Sequence, residues 1–232
     1  MRLHTHSTRR RFRASLFALA ALLAVLTVAT WLIANHRDPR AISQDELHRI
    51  ATHSESAVMK PLPRLHRVVI EPVSPGEVLD ATVAYLPQPG NEGTQFEVQG
   101  LYDPLSEEIH ITGVLVRIQA SFAKPWIQPL FRQTLRHEYG HAFLYDWTKD
   151  HGWIGTALGE FGRTQGSIDP SEFPSALRGV VIEYQRVDSE VYGSSYFTSS
   201  FNEYVAESYA RYLDGEDVPP HVRRLLDSAS DR

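Results

Sequence analysis

Cysteine is absent from all 232 residues. No disulfide framework can therefore support the fold outside a cell, and stability has to come from a hydrophobic core and from any bound metal. Internal repeats and low-complexity tracts are missing as well. Basic charge is in short supply: 23 Lys and Arg stand against 28 Asp and Glu, a formal net charge of −5. Five of those Arg fall within residues 1–36, which hold no acid, so the following 196 residues carry 18 bases against 28 acids, a formal charge of −10. Such a balance argues against nucleic-acid binding, because phosphates call for a basic face.

Charge is missing altogether from Ala14 to Ala34, a run of 21 residues. That length crosses a bilayer core of about 30 Å. Arg9, Arg10, Arg11 and Arg13 precede it, and positive charge stays on the cytoplasmic side. The expected organisation is a basic cytoplasmic segment at 1–13 and a transmembrane signal anchor at 14–34. A juxtamembrane linker or short helix follows at 35–63, and one extracytoplasmic domain at 64–232. A cleaved signal peptide, which would make the chain secreted, is the rival reading. Its apolar region usually spans only about 7–15 residues, and Val28-Ala29-Thr30 is at best a weak cleavage site.

What the chain does contain is His137-Glu138-Tyr139-Gly140-His141. On a helix, positions i and i+4 share a face, so both imidazoles can present a ring nitrogen to one cation while Glu138 is turned about 100° away. This is half of a zinc hydrolase site, with a base placed beside the water position. Proline at 125 and 129 suits a first helical turn. Ile127, Leu130, Phe131, Leu135, Ala142 and Phe143 recur at helical spacing, which predicts a buried helix through the motif. Gly140 inside that helix costs about 1 kcal/mol relative to alanine and implies a close neighbour.

Downstream, Phe201 to Leu213 reads as a second amphipathic helix ended by Asp214-Gly215. It stacks Glu203 and Glu207 one turn apart, where two carboxylates repel unless a cation lies near them. One of them would complete a His2Glu zinc site; the other would accept the second N–H of a ligating imidazole. His151, in the loop after the motif helix, is a competing third ligand.

These two helices resemble the gluzincin metallopeptidases, in which HExxH is joined by a glutamate from a later helix. The likeness is greater to the group of the anthrax lethal factor catalytic domain, where the ligand glutamate begins a Glu-x-x-Ala-Glu run and a tyrosine seven residues before it faces the metal. This chain has Glu203-Tyr204-Val205-Ala206-Glu207, with Tyr196 at the matching distance. The resemblance implies His137, His141 and Glu203 as ligands of one zinc ion and Glu207 as partner of a ligand histidine, His137. It implies Glu138 as general base and Tyr196 as donor to the oxyanion, with Tyr192 the alternative. It further implies an α+β zincin-like domain with a small sheet, acting as an endopeptidase on a peptide or protein substrate. The metzincin pattern would need glycine at 144 and histidine at 147, where Leu144 and Trp147 stand. A different class of reading is a catalytically inactive zincin-fold binding protein that holds an extended peptide; Glu138 speaks against it, since a binding module has no use for a base there.

The remaining elements are short. Strands are predicted at Arg67–Ile70, Glu108–Thr112 and Val114–Gln119, with Gly113 as a turn or bulge, and either of the last two is a candidate substrate-binding edge. Helices are predicted at Gly76–Leu86, Ala176–Val187 and Pro219–Ala229.

Overall fold

The computed structural model describes residues 19–29, 31, 42–53, 64–72, 100–113, 128–153, 162–188 and 197–230. Their architecture is α+β: helices packed on a three-stranded mixed sheet. The predicted helix at 76–86 and strand at 114–119 lie outside these residues. Residues 19–29 are helical, with the leucines exposed. Among the described residues no helix is long and apolar enough to cross a membrane, and both ends of the expected 14–34 span lie outside them.

Helix α1 (Gln44–Thr52) starts on Ser43, whose side chain accepts the Glu46 N–H at 3.2 Å, and carries Asp45 and Glu46 in its first turn. Residues 35–63 thus contain the short-helix form of the two expectations. It is also part of the core: Leu47 and Ala51 are buried, so the core begins upstream of residue 64.

Strands β1 (Arg67–Glu71), β2 (Gly100–Asp103) and β3 (Glu108–Thr112) are ordered β1-β3-β2. β1 runs parallel to β3, and β2 runs antiparallel to it. Alternation sends Val68, Ile70, Tyr102, Ile109 and Ile111 inward. The outer face carries Val69 and the exposed Leu101 among polar pairs, Arg67 to Glu108 at 2.6 Å and His110 to Glu71 at 2.8 Å. Glu108–Thr112 is therefore the central strand and not the edge. The edge is Gly100–Asp103, four residues whose flanking glycine and aspartate hide them from a period-two pattern. At the opposite edge, the Gln44 side-chain amide accepts the Val68 N–H and donates to the Val68 carbonyl, both at 2.9 Å.

The long helix α2 (Gln128–Asp150) packs on β2, β3 and α1. Past a 3-10 turn at Pro170–Glu172, α3 (Ser175–Tyr184) leads to α4 (Phe201–Leu213), which packs along α2. α5 (Pro220–Ser230) closes the chain, and Glu183 of α3 accepts its His221 and Val222 amides at 2.9 and 3.2 Å. Arg136 of α2 is fully buried. Its guanidinium donates to the carbonyls of Ile50 (3.3 Å) and His53 at the end of α1 and pairs with Asp214 at the end of α4.

Behind α2 lies a second buried ion pair. His66 Nε2 donates to Asp146 at 2.8 Å and Nδ1 faces the Glu107 carbonyl at 3.3 Å, so both ring nitrogens meet acceptors. Arg64 joins Asp146 at 3.0 Å. Burial opposes charging of His66, but the hydrogen bond and charge of Asp146 outweigh it and raise its pKa. A raised folded pKa gives stability that is complete below the unfolded value of about 6.5 and is lost as pH climbs through the folded one. Urea unfolding should therefore show a component of stability that falls as pH rises above about 6.5 in the parent chain. His66→Leu should lose that component and cost about 1–3 kcal/mol at pH 6; equal pH slopes in the two chains would count against the pairing.

Candidate metal centre

Two helices supply the site because they come unusually close. A Cβ on Gly140 would lie 2.6 Å from the Ala206 Cα and 2.7 Å from the Ala206 carbonyl oxygen. Only glycine at 140, with a small residue at 206, lets the α2 and α4 backbones meet at this distance, which gives the mid-helix glycine its reason. The contact sits one residue before His141 and three after Glu203.

Across it, His137 Nε2 lies 3.0 Å from Glu203 Oε2, and His141 Nε2 lies 3.6 Å from Glu203 Oε1. The three side chains offer ligand atoms within 4.8 Å of one another and could hold a metal ion. In a tetrahedron with bonds of 2.0 to 2.1 Å, ligand atoms sit about 3.4 Å apart. The two observed separations, each to a different oxygen of Glu203, fall on either side of that figure, while the three-atom set as a whole extends to 4.8 Å. The histidines are buried, their rings 4.8 Å apart and nearly perpendicular, with Phe197 5.6 Å from His137. Two imidazoles and one carboxylate form a donor set suited to zinc.

Glu203 enters the first turn of α4, where the Ser200 hydroxyl accepts its N–H at 3.3 Å. One turn on, Glu207 is 1% exposed, and its Oε2 faces His137 Nδ1 at 3.6 Å. A further turn brings Arg211, whose Nε donates to Glu207 Oε1 at 2.9 Å. The repulsion expected of stacked carboxylates is thus relieved by a cation on the same helix as well as by the imidazoles. Arg211 was readable as the third rung of an i, i+4 ladder.

Electrostatics separates the two histidines. Burial opposes charging of His137, but the Glu203 and Glu207 carboxylates outweigh it and push it up to about 9. Burial and the charge of His137 push His141 down to about 4. Glu138 is buried beside them, and burial raises its carboxyl to about 7, against the charge of His137. A backbone hydrogen bond from Tyr102 on β2 reaches the same carboxylate. This strand contact, 36 residues away in sequence, carries no signal in the motif.

His151 does not join the cluster: it stacks on Trp147 at 3.9 Å, and its Nδ1 donates to the Trp147 carbonyl. Tyr192 and Tyr196 lie outside the described residues. Comparison with known proteins returns no matching family model, no matching curated protein and no matching solved structure.

Replacing Gly140 by Ala should force the helices apart despite the gain of about 1 kcal/mol in helix propensity. The expected result is a net loss of about 1–3 kcal/mol in urea unfolding together with weaker zinc uptake. Unchanged stability and zinc content would show that the contact does not hold the ligands together.

Proposed function

We propose that the chain is a zinc-dependent endopeptidase of gluzincin type, with His137, His141 and Glu203 as ligands. The observation that carries this reading is a buried Glu138 beside that three-atom ligand cluster, its carboxyl raised to about 7. A general base works best with a pKa near the working pH. Zinc bound there would polarise a scissile carbonyl and lower the pKa of a water toward about 7. Glu138 takes the proton of the attacking water on its carboxylate and returns it to the leaving amine. Glu207 Oε2 faces His137 Nδ1 at 3.6 Å, and with the metal bound it would accept the Nδ1–H, keep Nε2 turned to the ligand cluster and raise its basicity; Arg211 fixes Glu207 in turn. By the resemblance to the lethal factor group, Tyr196 would donate to the developing oxyanion.

The sheet supports an extended peptide as substrate. Gln44 occupies the Val68 backbone groups on the outer side of β1, whereas no described strand pairs with the outer side of β2. β2 also abuts Glu138. A substrate added as a strand along β2 therefore brings its backbone to the base. The charge-free run at 14–34 and its flanking Arg residues support membrane anchoring with the catalytic domain outside the cytoplasm.

The test uses the soluble part loaded with zinc and a mixed peptide library. Turnover should be abolished by chelator and restored by zinc. Glu138→Gln should keep the metal and lose at least about 100-fold in kcat, whereas His137→Ala and Glu203→Ala should lose metal and turnover together. Glu207→Gln should weaken zinc affinity by about 10- to 100-fold. Full activity in Glu138→Gln would overturn the mechanism.

A further inference from the structure

Gly100 opens β2, and a Cβ placed on it would lie 2.6 Å from Glu138 Cγ, 2.7 Å from Oε1 and 3.0 Å from Cδ. Among the described glycines only Gly152 and Gly215 have positive φ, so Gly100 is not needed for an unusual backbone. Glycine in a strand weakens it relative to alanine. What it gives in return is room. Gly100 and Tyr102 are two residues apart and face the same side of the strand. Tyr102 fills its place with a buried ring, and the place over Gly100 is filled by the side chain of Glu138. The Tyr102 backbone hydrogen bond holds the carboxylate from the same strand.

We propose that Gly100 is a positioning residue for Glu138: its missing side chain forms a seat on β2 that fixes the carboxylate beside the ligand histidines. The inference rests on Glu138 acting as the base, but the seat itself is a packing relation that exists whether or not the chain turns over a substrate. Glu138 belongs to a helix, and its side chain has several rotamers available. The seat selects one of them, against β2. Alanine at 100 would take the volume of the Cγ and carboxyl group and turn the carboxylate away. A displacement of about 1 Å in a catalytic group can cost about 100-fold in rate.

The experiment is a four-chain cycle: parent, Gly100→Ala, Glu138→Ala and the double variant, each measured for thermal midpoint, zinc content and peptide turnover. Gly100→Ala should lower the midpoint in the parent background and leave it nearly unchanged in the Glu138→Ala background, where the seat is empty of side chain. It should retain one zinc per chain and lower kcat by about 100-fold with KM changed by less than about twofold. Equal midpoint shifts in the two backgrounds would overturn the proposal, as would an unchanged kcat or a loss confined to KM. If no chain hydrolyses any peptide, the peptidase reading fails, and the midpoint cycle still decides whether Gly100 seats Glu138.

Discussion

The contact between Gly140 and Ala206 is the constraint on which the site depends. Two helices separated by 50 residues of sequence bring their backbones within reach of each other only where both lack bulk. His137 and His141 are displayed on one side of that contact and Glu203 on the other, so the ligand cluster is a property of a helix pair and not of a loop. Helices are stiff, and a crossing fixed by backbone contact leaves little freedom for side chains that project beside it. The three possible ligand atoms thus come within 4.8 Å of one another through the packing of the two helices.

Around this crossing the fold buries charge in paired form. Arg136 joins the ends of α1 and α4 from within α2; Glu207 lies between Arg211 and His137; His66 and Arg64 share Asp146. An isolated charge in a buried position is costly, and pairing makes it tolerable. Each pair also ties together elements that hydrophobic contact would hold with less orientation. Arg136 directly precedes His137, so the same residue that joins three helix segments sets the rotation of the motif on α2.

The sequence disclosed the parts of this arrangement that are periodic. The helix at Phe201–Leu213, its end at Asp214-Gly215, the strands around Val68–Ile70 and Glu108–Thr112, and the shared helix face of His137 and His141 could be read from spacing and motif, whereas the choice of Glu203 over Glu207 beside them came from the family resemblance. So could the need for a close neighbour at Gly140, because an unexplained mid-helix glycine implies one. Three features were beyond that reading. Gly100–Asp103 is too short for alternation to show, and its place at the edge depends on which strand lies between its neighbours. Gly100 meets Glu138 across 38 positions without any shared pattern. The α1 helix joins the core through Leu47 and Ala51 with Ile50 packed beside them, and its position is set by Gln44 and Arg136. Tertiary contact decides such matters, and local periodicity holds no record of it.

The grip of Gln44 on Val68 has a consequence for self-association. A sheet with two bare edges can recruit copies at both sides and extend without limit, the geometry from which fibres grow. Here one rim is already satisfied at its second residue by an amide from α1. A strand adding on the β1 side would have to displace the Gln44 amide before it could pair at Val68, which disfavours growth of the sheet on that side.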